Sequence, residues 1–505
     1  MLRISRICVS IICFAIITFY FLDFTELLPA GFNWLTRIQI VPAILSVSII
    51  TLLIWIVLTL LFGRVYCSSV CPMGIFQDVI NRISRPFKNK KQKRFKYLQP
   101  KTILRWSILA LCTLTFIFGL SFILGLLDPY SAYGRMITSV FKPVYLAGNN
   151  LLESIFTHFD NYTFYKMDVF IASMLTFIIG LLTLCTIGYL AWKHGRLWCN
   201  TMCPVGTLLG FMSKFSILKI RINTANCTNC GRCMRACKSS CINVKEHQID
   251  HSRCVTCFNC LDACKDNAIS YTLPKKGKKS PDMDKSKRRF IAAGISTAAI
   301  APKAVQAQVN SVLNNGKIYY KKEHPITPPG SISHKNFQNH CTSCHLCVSK
   351  CPANILKPAF MEYGLSGIMQ PTINFEKGFC NFDCTICSDI CPNGAIKPLT
   401  VEEKHLTQMG YVVFLLNNCI VYADGTSCGA CSEHCPTQAV SMKPYKDGLT
   451  LPEVDTEICV GCGGCEYVCP TYPKAIYIEG NPVHKEAKPF HDPEMKELDI
   501  DEFGF

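Results

Sequence analysis

Two stretches of the sequence, CTNCGRCMRAC at residues 227–237 and CVTCFNCLDAC at 254–264, place four cysteines at one spacing, C-x2-C-x2-C-x3-C. Four further groups follow between residues 341 and 469, so that 24 of the 33 cysteines fall into six tight groups. Disulfide-stabilised domains are usually short secreted chains without such grouping. Each group is therefore predicted to fold as a compact loop whose thiols converge on a metal centre.

The C-x2-C-x2-C-x3-C spacing is that of bacterial ferredoxins, which bind [4Fe–4S] clusters. Three thiolates from one tight loop bind three irons, and the fourth cysteine begins a short helix and reaches the neighbouring cluster. Four-cysteine zinc sites use two separated pairs instead. The proline that usually follows the fourth cysteine is replaced by Lys238 and Lys265. The predicted ligand sets are Cys227, Cys230, Cys233 with Cys264, and Cys254, Cys257, Cys260 with Cys237.

The four C-terminal groups all end in Cys-Pro, and the two central ones depart from the regular spacing. They are Cys341, Cys344, Cys347, Cys351; Cys380, Cys384, Cys387, Cys391; Cys419, Cys428, Cys431, Cys435; and Cys459, Cys462, Cys465, Cys469. Sixteen ligands make four clusters, which brings the predicted total to six. The fourth cysteine of each group is expected to bind the cluster of another group. This exchange either pairs neighbouring groups or is nested, which pairs the first group with the last and the second with the third. The central position of the irregular groups favours nesting.

Four apolar segments in the first 200 residues are long enough to span a bilayer, which takes about 20 residues. They lie at roughly residues 4–22, 42–62, 103–127 and 168–192. The mean hydropathy of +0.22 is also high for a soluble enzyme. The first segment follows Arg3 and Arg6 but ends at Asp23 and Glu26 without a small-residue cleavage site. We therefore expect a retained helix rather than a signal peptide.

Basic residues are concentrated in the loops of one side. Residues 63–105 hold eleven Lys and Arg and one acid, Asp78, whereas residues 23–41 and 128–167 are close to charge-balanced. The positive-inside rule then places the N-terminus, the 63–105 loop and the chain just after residue 192 in the cytoplasm of a bacterial inner membrane. Because these charges stand in short loops beside apolar helices, they indicate membrane topology, and we expect no nucleic-acid partner.

Residues 286–307, SKRRFIAAGISTAAIAPKAVQA, are similar to a twin-arginine export signal, with Lys287 where the first Arg belongs. Cluster domains acquire iron in the cytoplasm, so an exported one must cross the membrane folded, which this route permits. Residues 310–505 contain no Arg and carry a net charge of −7, against +24 for residues 1–309. We therefore expect a periplasmic C-terminal domain. The segment is either cleaved or kept as a fifth helix, and a cytoplasmic linker is the alternative.

The predicted fold is a multi-pass α-helical membrane domain with two α+β ferredoxin-like polycluster domains. Its boundaries are residues 1–220 for the four-helix membrane domain, 221–275 for the cytoplasmic two-cluster domain, 276–310 for the linker and 311–505 for the four-cluster domain. The sequence contains no molybdopterin, flavin or haem motif and no G-x-G-x-x-G, so it predicts electron transfer without a small-molecule reduction site of its own.

A second pattern is a repeated phrase, GRVYCSSVCPMG at residues 63–74 and GRLWCNTMCPVG at 195–206, each directly after an apolar segment. The membrane domain thus resembles a duplicated two-helix hairpin, and a pseudo-two-fold axis would bring the cysteines of both copies together at the cytoplasmic surface. These candidate catalytic residues are Cys67, Cys71, Cys199 and Cys203. Three interpretations remain open: an extra metal or cluster site, a dithiol pair that cycles through disulfides, and structural packing.

Arg64 and Arg196 stand one helical turn before these cysteines and are candidate cofactor-binding residues that stabilise thiolates or anchor lipid phosphates. Snorkelling of their guanidinium groups to the membrane surface is the plainer expectation. Within the apolar segments, Cys13, Cys112 and Cys185 lie at broadly similar depth and, with Cys8, form a candidate intramembrane centre. Packing is the default role for such buried cysteines.

Four helices, two C-x3-C-P motifs and two cytoplasmic ferredoxin groups resemble the NapH-type membrane subunit of quinol dehydrogenases, with relatives in NosR and the CcoG/RdxA oxidase-assembly proteins. Residues 286–505 resemble the NapG/MauM-type four-cluster ferredoxin, including the stretched group CIVYADGTSCGACSEHCP. The resemblance implies a quinol dehydrogenase component that oxidises menaquinol from the membrane quinone pool. The implied electron acceptor is a periplasmic terminal reductase or a c-type cytochrome. A CcoG-like assembly factor that reduces a metal or thiol is the alternative, and the four-cluster domain favours the first function.

Overall fold

The computed structural model describes residues 2–23, 30–89, 94–273 and 322–489 of the 505-residue chain. A helical domain, residues 2–213, is flanked by two cysteine-rich domains with small antiparallel sheets. The export-signal prediction for residues 286–307 lies outside the described residues.

The helical domain contains thirteen α-helices among the described residues. They are α1 Leu2–Leu22, α2 Trp34–Arg37, α3 Ile40–Leu45, α4 Ile49–Phe62, α5 Val65–Ser69, α6 Pro72–Ile83, α7 Thr102–Ile117, α8 Ser121–Leu127, α9 Pro129–Met136, α10 Lys142–Thr157, α11 Met174–His194, α12 Leu197–Thr201 and α13 Pro204–Ser213. A π-helical turn, Ile137–Phe141, joins α9 to α10.

Only α1 and α11, with 21 residues each, are long and apolar enough to cross a membrane as single helices in the described part of the chain. The segment predicted at residues 42–62 is divided between α3 and α4, with Val47 at φ +53° in the break. The segment predicted at 103–127 is divided between α7 and α8 at Gly119, whose φ is +76°. Both were predicted as uninterrupted spans, and the positive-φ residues that end α3 and α7 explain the difference. Crossing by these two segments stays a prediction.

The two copies of the repeated phrase have the same backbone. Helix α4 is followed by Gly63 with φ +81°, and α11 is followed by Gly195 with φ +71°, positive values that glycine adopts without steric cost. A five-residue helix follows in each copy, α5 or α12, and the chain then turns at the second cysteine of the phrase. The proline after that cysteine occupies the first position of α6 or α13, where its missing N–H costs no hydrogen bond.

The first cysteine-rich domain is built on β1 Lys219–Ile222 paired antiparallel with β4 Ile269–Thr272, so its sheet joins the two ends of the domain. Between these strands lie α14 Arg232–Ala236, a short hairpin of β2 Ile242–Asn243 and β3 Gln248–Ile249, and α15 Asn259–Ala263.

The second cysteine-rich domain contains three two-stranded antiparallel sheets among the described residues, β5–β6, β7–β10 and β8–β9. Their strands are β5 Leu356–Pro358, β6 Pro371–Ile373, β7 Thr407–Phe414, β8 Val440–Pro444, β9 Thr450–Val454 and β10 Ile476–Glu486. The short helices are α16 His334–His340, α17 Leu346–Lys350, α18 Ile386–Asp389, α19 Val401–His405, α20 Ile420–Asp424, α21 Ala430–Glu433 and α22 Gly464–Val468.

The two cysteine-rich domains contact opposite ends of α1. At its start, Arg3 Nη1 lies 2.7 Å from Asp262 Oδ2 in the first domain. Just past its end, Asp23 Oδ2 lies 2.8 Å from Lys350 Nζ in the second domain. Because α1 has 21 residues and a helix rises about 1.5 Å per residue, about 30 Å of helix separates the two contacts. That length equals the hydrocarbon thickness of a typical bilayer.

Candidate metal centres

The first cysteine-rich domain brings its eight motif cysteines together as two sets, named here centre 1 and centre 2. Cys227, Cys230 and Cys264 surround Cys233 and form centre 1. Cys237, Cys254, Cys257 and Cys260 line one cavity and form centre 2. These sets are the ones that the ferredoxin spacing predicts, with the fourth cysteine of each motif serving the other centre.

A fifth cysteine, Cys241, lies in the wall of centre 2 and was not predicted. Its side chain is 1% exposed, and its Sγ lies 3.5 Å from the Cys237 Sγ. A thiolate bound to iron can only accept a hydrogen bond, so the Cys241 thiol is the donor in this pair when the centre is loaded. The sequence signal was present, since Cys241 extends the second half of the motif by a further C-x3-C step.

The second cysteine-rich domain pairs its four groups in chain order, so the predicted nesting is wrong. Centre 3 consists of Cys341, Cys344, Cys347 and Cys391. Centre 4 consists of Cys351, Cys380, Cys384 and Cys387. Centre 5 consists of Cys435, Cys459, Cys462 and Cys465. Centre 6 consists of Cys419, Cys428, Cys431 and Cys469.

The physical reason for this pairing is local. Each fourth cysteine directly follows a short helix or turn, so it can reach only the next group in space, and small hairpins such as β8–β9 hold consecutive groups together. The irregular groups therefore do not pair with each other. Instead, one irregular and one regular group make each pair, and the extra residues of the irregular loops remain within their own centres.

Centres 3 to 6 form a linear series that starts at the helical domain. A Cβ on Gly134 of α9 would lie 2.5 Å from the Cys344 carbonyl oxygen, so centre 3 packs directly on that helix. Cys347 of centre 3 lies close to Cys387 of centre 4. The Cys380 amide donates to the Cys462 carbonyl at 2.9 Å, which joins centres 4 and 5.

The series ends at centre 6, since Cys465 of centre 5 lies close to Cys431 of centre 6. Centre 6 is therefore the last centre of the series that starts at the helical domain. Tyr422 is exposed beside it.

The four cysteines of the repeated phrase, named here the quartet, meet inside the helical domain. Cys67, Cys71, Cys199 and Cys203 are between 3% and 4% exposed. The Gln77 side chain donates to the Cys199 Sγ at 3.1 Å, and the Gly206 amide donates to the Cys203 Sγ at 3.2 Å. The duplication thus produces one shared, buried four-thiol site.

Each arginine of the repeated phrase crosses to the other copy. Arg64 Nη2 donates to the Cys199 carbonyl at 3.3 Å, and Arg196 Nη1 donates to the Cys67 carbonyl at 2.5 Å. Both side chains are 0% exposed, so the expected snorkelling does not occur. Gly74 and Gly206 make room for the crossing, because a Cβ on either would lie 2.4 Å or 2.2 Å from the same carbonyls.

The two arginines differ in how their charge is balanced. Arg196 forms a bidentate pair with Asp78 at 2.8 and 2.6 Å, and Lys238 contacts the same carboxylate. Burial raises the pKa of Asp78, but Arg196 and Lys238 outweigh it and hold the pKa well below its usual value. Arg64 has no carboxylate among its partners in the described residues. It donates to Asn200 Oδ1 at 2.9 Å and lies 3.6 Å from the Cys67 Sγ.

The quartet lies between centre 2 and centre 3. Arg64 Nη1 donates at 3.0 Å to the carbonyl of Ser252, two residues before Cys254 of centre 2. On the other side, α6 begins directly after Cys71 and carries Phe76, whose ring centroid is 6.0 Å from that of Tyr133 in α9. Tyr133 directly precedes Gly134, which contacts centre 3.

The candidate intramembrane centre is not formed. Cys8 and Cys185 are exposed, Cys13 is half-buried and Cys112 is buried on α7. Across the described ranges, no three His, Cys, Asp or Glu side chains are arranged to hold a single metal ion.

Comparison with known families agrees with this chemistry. A family described as "4Fe-4S binding domain" matches residues 45–91 and 173–223, the two copies that carry the quartet. Two families described as "4Fe-4S dicluster domain" match residues 250–355 and 426–472. The chain is therefore an iron–sulfur protein with ferredoxin-type 4Fe–4S domains. No solved structure matches it.

Three curated relatives indicate which kind of iron–sulfur protein this chain is similar to. The ferredoxin-type protein MauM for methylamine utilisation in Methylobacillus flagellatus is 33% identical over 165 residues, 30% of this chain and 67% of the relative. The ferredoxin-type protein NapG of Escherichia coli K12 is 30% identical over 167 residues, 30% of this chain and 69% of the relative. The ferredoxin-type protein NapF of the same strain is 29% identical over 150 residues, 30% of this chain and 83% of the relative. The chain belongs to this family of ferredoxin-type iron–sulfur electron-transfer proteins.

Proposed function

We propose that the chain is a membrane-bound quinol dehydrogenase component that oxidises menaquinol and passes the electrons to a periplasmic reductase or c-type cytochrome. One observation carries the proposal: the cysteine centres form a series that runs from the helical domain, beside which centre 3 and Cys351 of centre 4 both lie, to centre 6. A [4Fe–4S] cluster accepts and donates one electron at a time. Such a series therefore suits a route from a membrane-embedded donor to a soluble acceptor.

The placement of the two cysteine-rich domains supports opposite sides of a bilayer. The contacts of Arg3 and Asp23 with these domains are separated by the full length of α1. The first domain contacts the basic loop at residues 63–105, since the Phe95 amide donates to the Arg235 carbonyl at 3.2 Å. The positive-inside rule expects such a loop on the cytoplasmic face. The second domain is the acidic, arginine-free part of the chain. We infer that it is periplasmic.

The quartet is proposed as a seventh, thiolate-ligated centre. Arg64 is a fully buried cation without a carboxylate partner in the described residues, and an uncompensated buried charge is strongly destabilising. Four neutral thiols, or two disulfides, would leave that charge unbalanced. Four thiolates on a metal centre carry the negative charge that balances it. The charge of Arg64 therefore favours this interpretation over a cycling dithiol and over structural packing.

The positions of the side chains support the following roles. The six cysteine sets hold the six proposed clusters, and Arg64 and Arg196 lower the energy of anionic sulfur at the quartet by contacts to Cys67 and across the copies. Asp78 fixes Arg196 in place through its bidentate pair. The helical domain excludes water from the quartet, so these interactions act in a medium of low dielectric constant.

Burial of the quartet weighs against the alternative of an assembly factor that reduces a metal or thiol for another enzyme. Thiol exchange requires that the attacking sulfur be accessible to its partner, yet the four sulfurs belong to side chains that are at most 4% exposed.

The test uses the full chain, loaded with iron and sulfide in lipid nanodiscs. Addition of a short-chain menaquinol analogue is expected to bleach the cluster absorbance, and dithionite defines full reduction. If dithionite bleaches the protein and the quinol does not, the dehydrogenase function is wrong.

A further inference from the structure

A cavity of about 390 Å³ lies where the helical domain meets the second cysteine-rich domain. Its walls come from the π-helical turn, the first turns of α10, the loop at residues 165–172, and the chain from α17 to Pro358. This volume falls in the range of ligand pockets, about 300–1,000 Å³. Ligand sites commonly form at such domain boundaries.

The wall combines apolar and polar side chains in similar numbers and includes a few buried charges. Leu146, Phe170 and Val348 are among its apolar side chains. Lys350 and Asp23 form an ion pair at 2.8 Å, with side chains 7% and 5% exposed. Such a site accommodates a flat, largely apolar molecule that carries one or two polar oxygens.

A third charge, Lys142, also faces this wall. Its ammonium group donates to the Ser349 hydroxyl at 2.9 Å and to the carbonyl of the same residue. Lys142 follows the π-helical turn directly, and such turns occur frequently at functional sites because they displace side chains from the regular helical positions.

Cys351 is part of the same wall. It is also the fourth ligand of centre 4, since it lines the adjacent cavity with Cys380, Cys384 and Cys387. A molecule in the larger cavity is therefore separated from centre 4 by one cysteine side chain.

Exposed apolar side chains lie beside the cavity. Ile171 is in its wall and is 44% exposed. Val144, Val169 and Met174 are within two positions of wall residues in the sequence and are 68%, 44% and 66% exposed. Met174 begins α11, one of the two helices long enough to span a membrane. Exposed apolar side chains at a helix end that meets the membrane give entry to a ligand dissolved in lipid rather than in water.

We propose that this cavity is the quinol-oxidising site, a proposal that rests on the proposed function above. Oxidation breaks the two O–H bonds of the quinol and leaves two C=O groups. Cys351 and the other cysteines of centre 4 would hold the cluster that accepts the two electrons one at a time. The clusters held at centres 5 and 6 would then supply the route to an oxidised one-electron redox protein. The two protons leave to water at the mouth of the cavity, where the Asp168 carboxylate is exposed.

The test compares two tryptophan substitutions on α10 in the full, cluster-loaded chain in nanodiscs. Leu146 lines the cavity and is 6% exposed, whereas Leu151 points outward and is 65% exposed. With menadiol as the electron donor, L146W is expected to slow cluster bleaching at least tenfold, and L151W is expected to leave the rate unchanged. Dithionite should reduce all three proteins to the same extent.

The outcomes separate the two proposals. If menadiol fails to reduce the unsubstituted protein, the proposed function is wrong, and the site assignment is overturned with it. If menadiol reduces L146W as fast as the unsubstituted protein, the function stands and the site assignment is wrong.

A second measurement does not depend on the variant. An azido-naphthoquinone, photolysed on the unsubstituted protein, is expected to label peptides from residues 138–146 or 165–172. Excess menadione should prevent this labelling. Labelling confined to other regions, or labelling that only phospholipid prevents, overturns the assignment.

Discussion

In the second cysteine-rich domain, cysteines from two sequence groups form each centre. This cross-pairing predicts which cysteine substitutions remove the same iron atoms. Cys391 and Cys341 serve centre 3, although they belong to different sequence groups, whereas Cys384 serves centre 4. A [4Fe–4S] centre holds about four iron atoms. C391A and C341A are each expected to remove about four atoms, and the double variant the same four. The double variant C391A/C384A is expected to remove about eight, because its substitutions fall in different centres.

Iron and acid-labile sulfide per chain provide the assay, and EPR of the reduced protein identifies the signal that disappears. The matched comparison lies in the two double variants, which both combine Cys391 with one other cysteine. Under unswapped ligation within each group, C391A/C384A would lose four atoms and C391A/C341A would lose eight. That reversed pattern would refute the pairing. A loss of about eight iron atoms from both double variants would instead indicate the nested pairing of the four groups.

Three further predictions follow from single contacts. C241A is expected to retain all iron but to lower the reduction potential of centre 2, because a thiol donor to the Cys237 sulfur is lost. A redox titration followed by EPR measures this potential. Loss of iron from C241A would instead show that Cys241 is a ligand. G206A is expected to destabilise the helical domain by about 1–3 kcal/mol in denaturant titrations, because its Cβ would lie 2.2 Å from the Cys199 carbonyl oxygen. G188A, with nothing within 4 Å, should be neutral, and equal effects would contradict the crossing geometry. Burial lowers the pKa of His484 to about 4 from 6.5, so the fold binds its proton less tightly than the unfolded chain does. Stability is therefore lost as pH falls from about 6.5 to 4, and H484Q should show a shallower decline than the unsubstituted protein.

The sequence predicted the centres best where ligand spacing is rigid. C-x2-C-x2-C-x3-C gave centres 1 and 2 with their swapped ligands, because one loop geometry satisfies that spacing. The pairing among the last four groups was wrong, because it depends on where hairpins such as β8–β9 place each loop, and no local spacing encodes that. Cys241 was missed because it lies outside the motif and becomes relevant only when the fold turns it into the cavity.

In the helical domain, too, the sequence predicted some features and missed others. Apolar length predicted α1 and α11, but hydropathy does not register the positive-φ breaks at Val47 and Gly119 that divide the other two segments. The duplicated phrase predicted a convergence of its four cysteines. The crossing of the arginines could not be predicted, since an arginine beside an apolar helix has the same sequence pattern whether its guanidinium group reaches lipid headgroups or the opposite copy.

The crossing of Arg64 to Cys199 also sets an order in time. The two residues are 135 positions apart, and at about 5–20 residues per second the ribosome needs about 7–27 s to make the second after the first. During that interval Arg64 lacks its acceptors in the second copy, Cys199 and Asn200, and the first cysteine pair lacks its partner thiols. The four-thiol site can therefore be completed only after both halves of the duplication have been made and have met. Insertion of the metal proposed for the quartet would then report that the helical domain has been assembled in full.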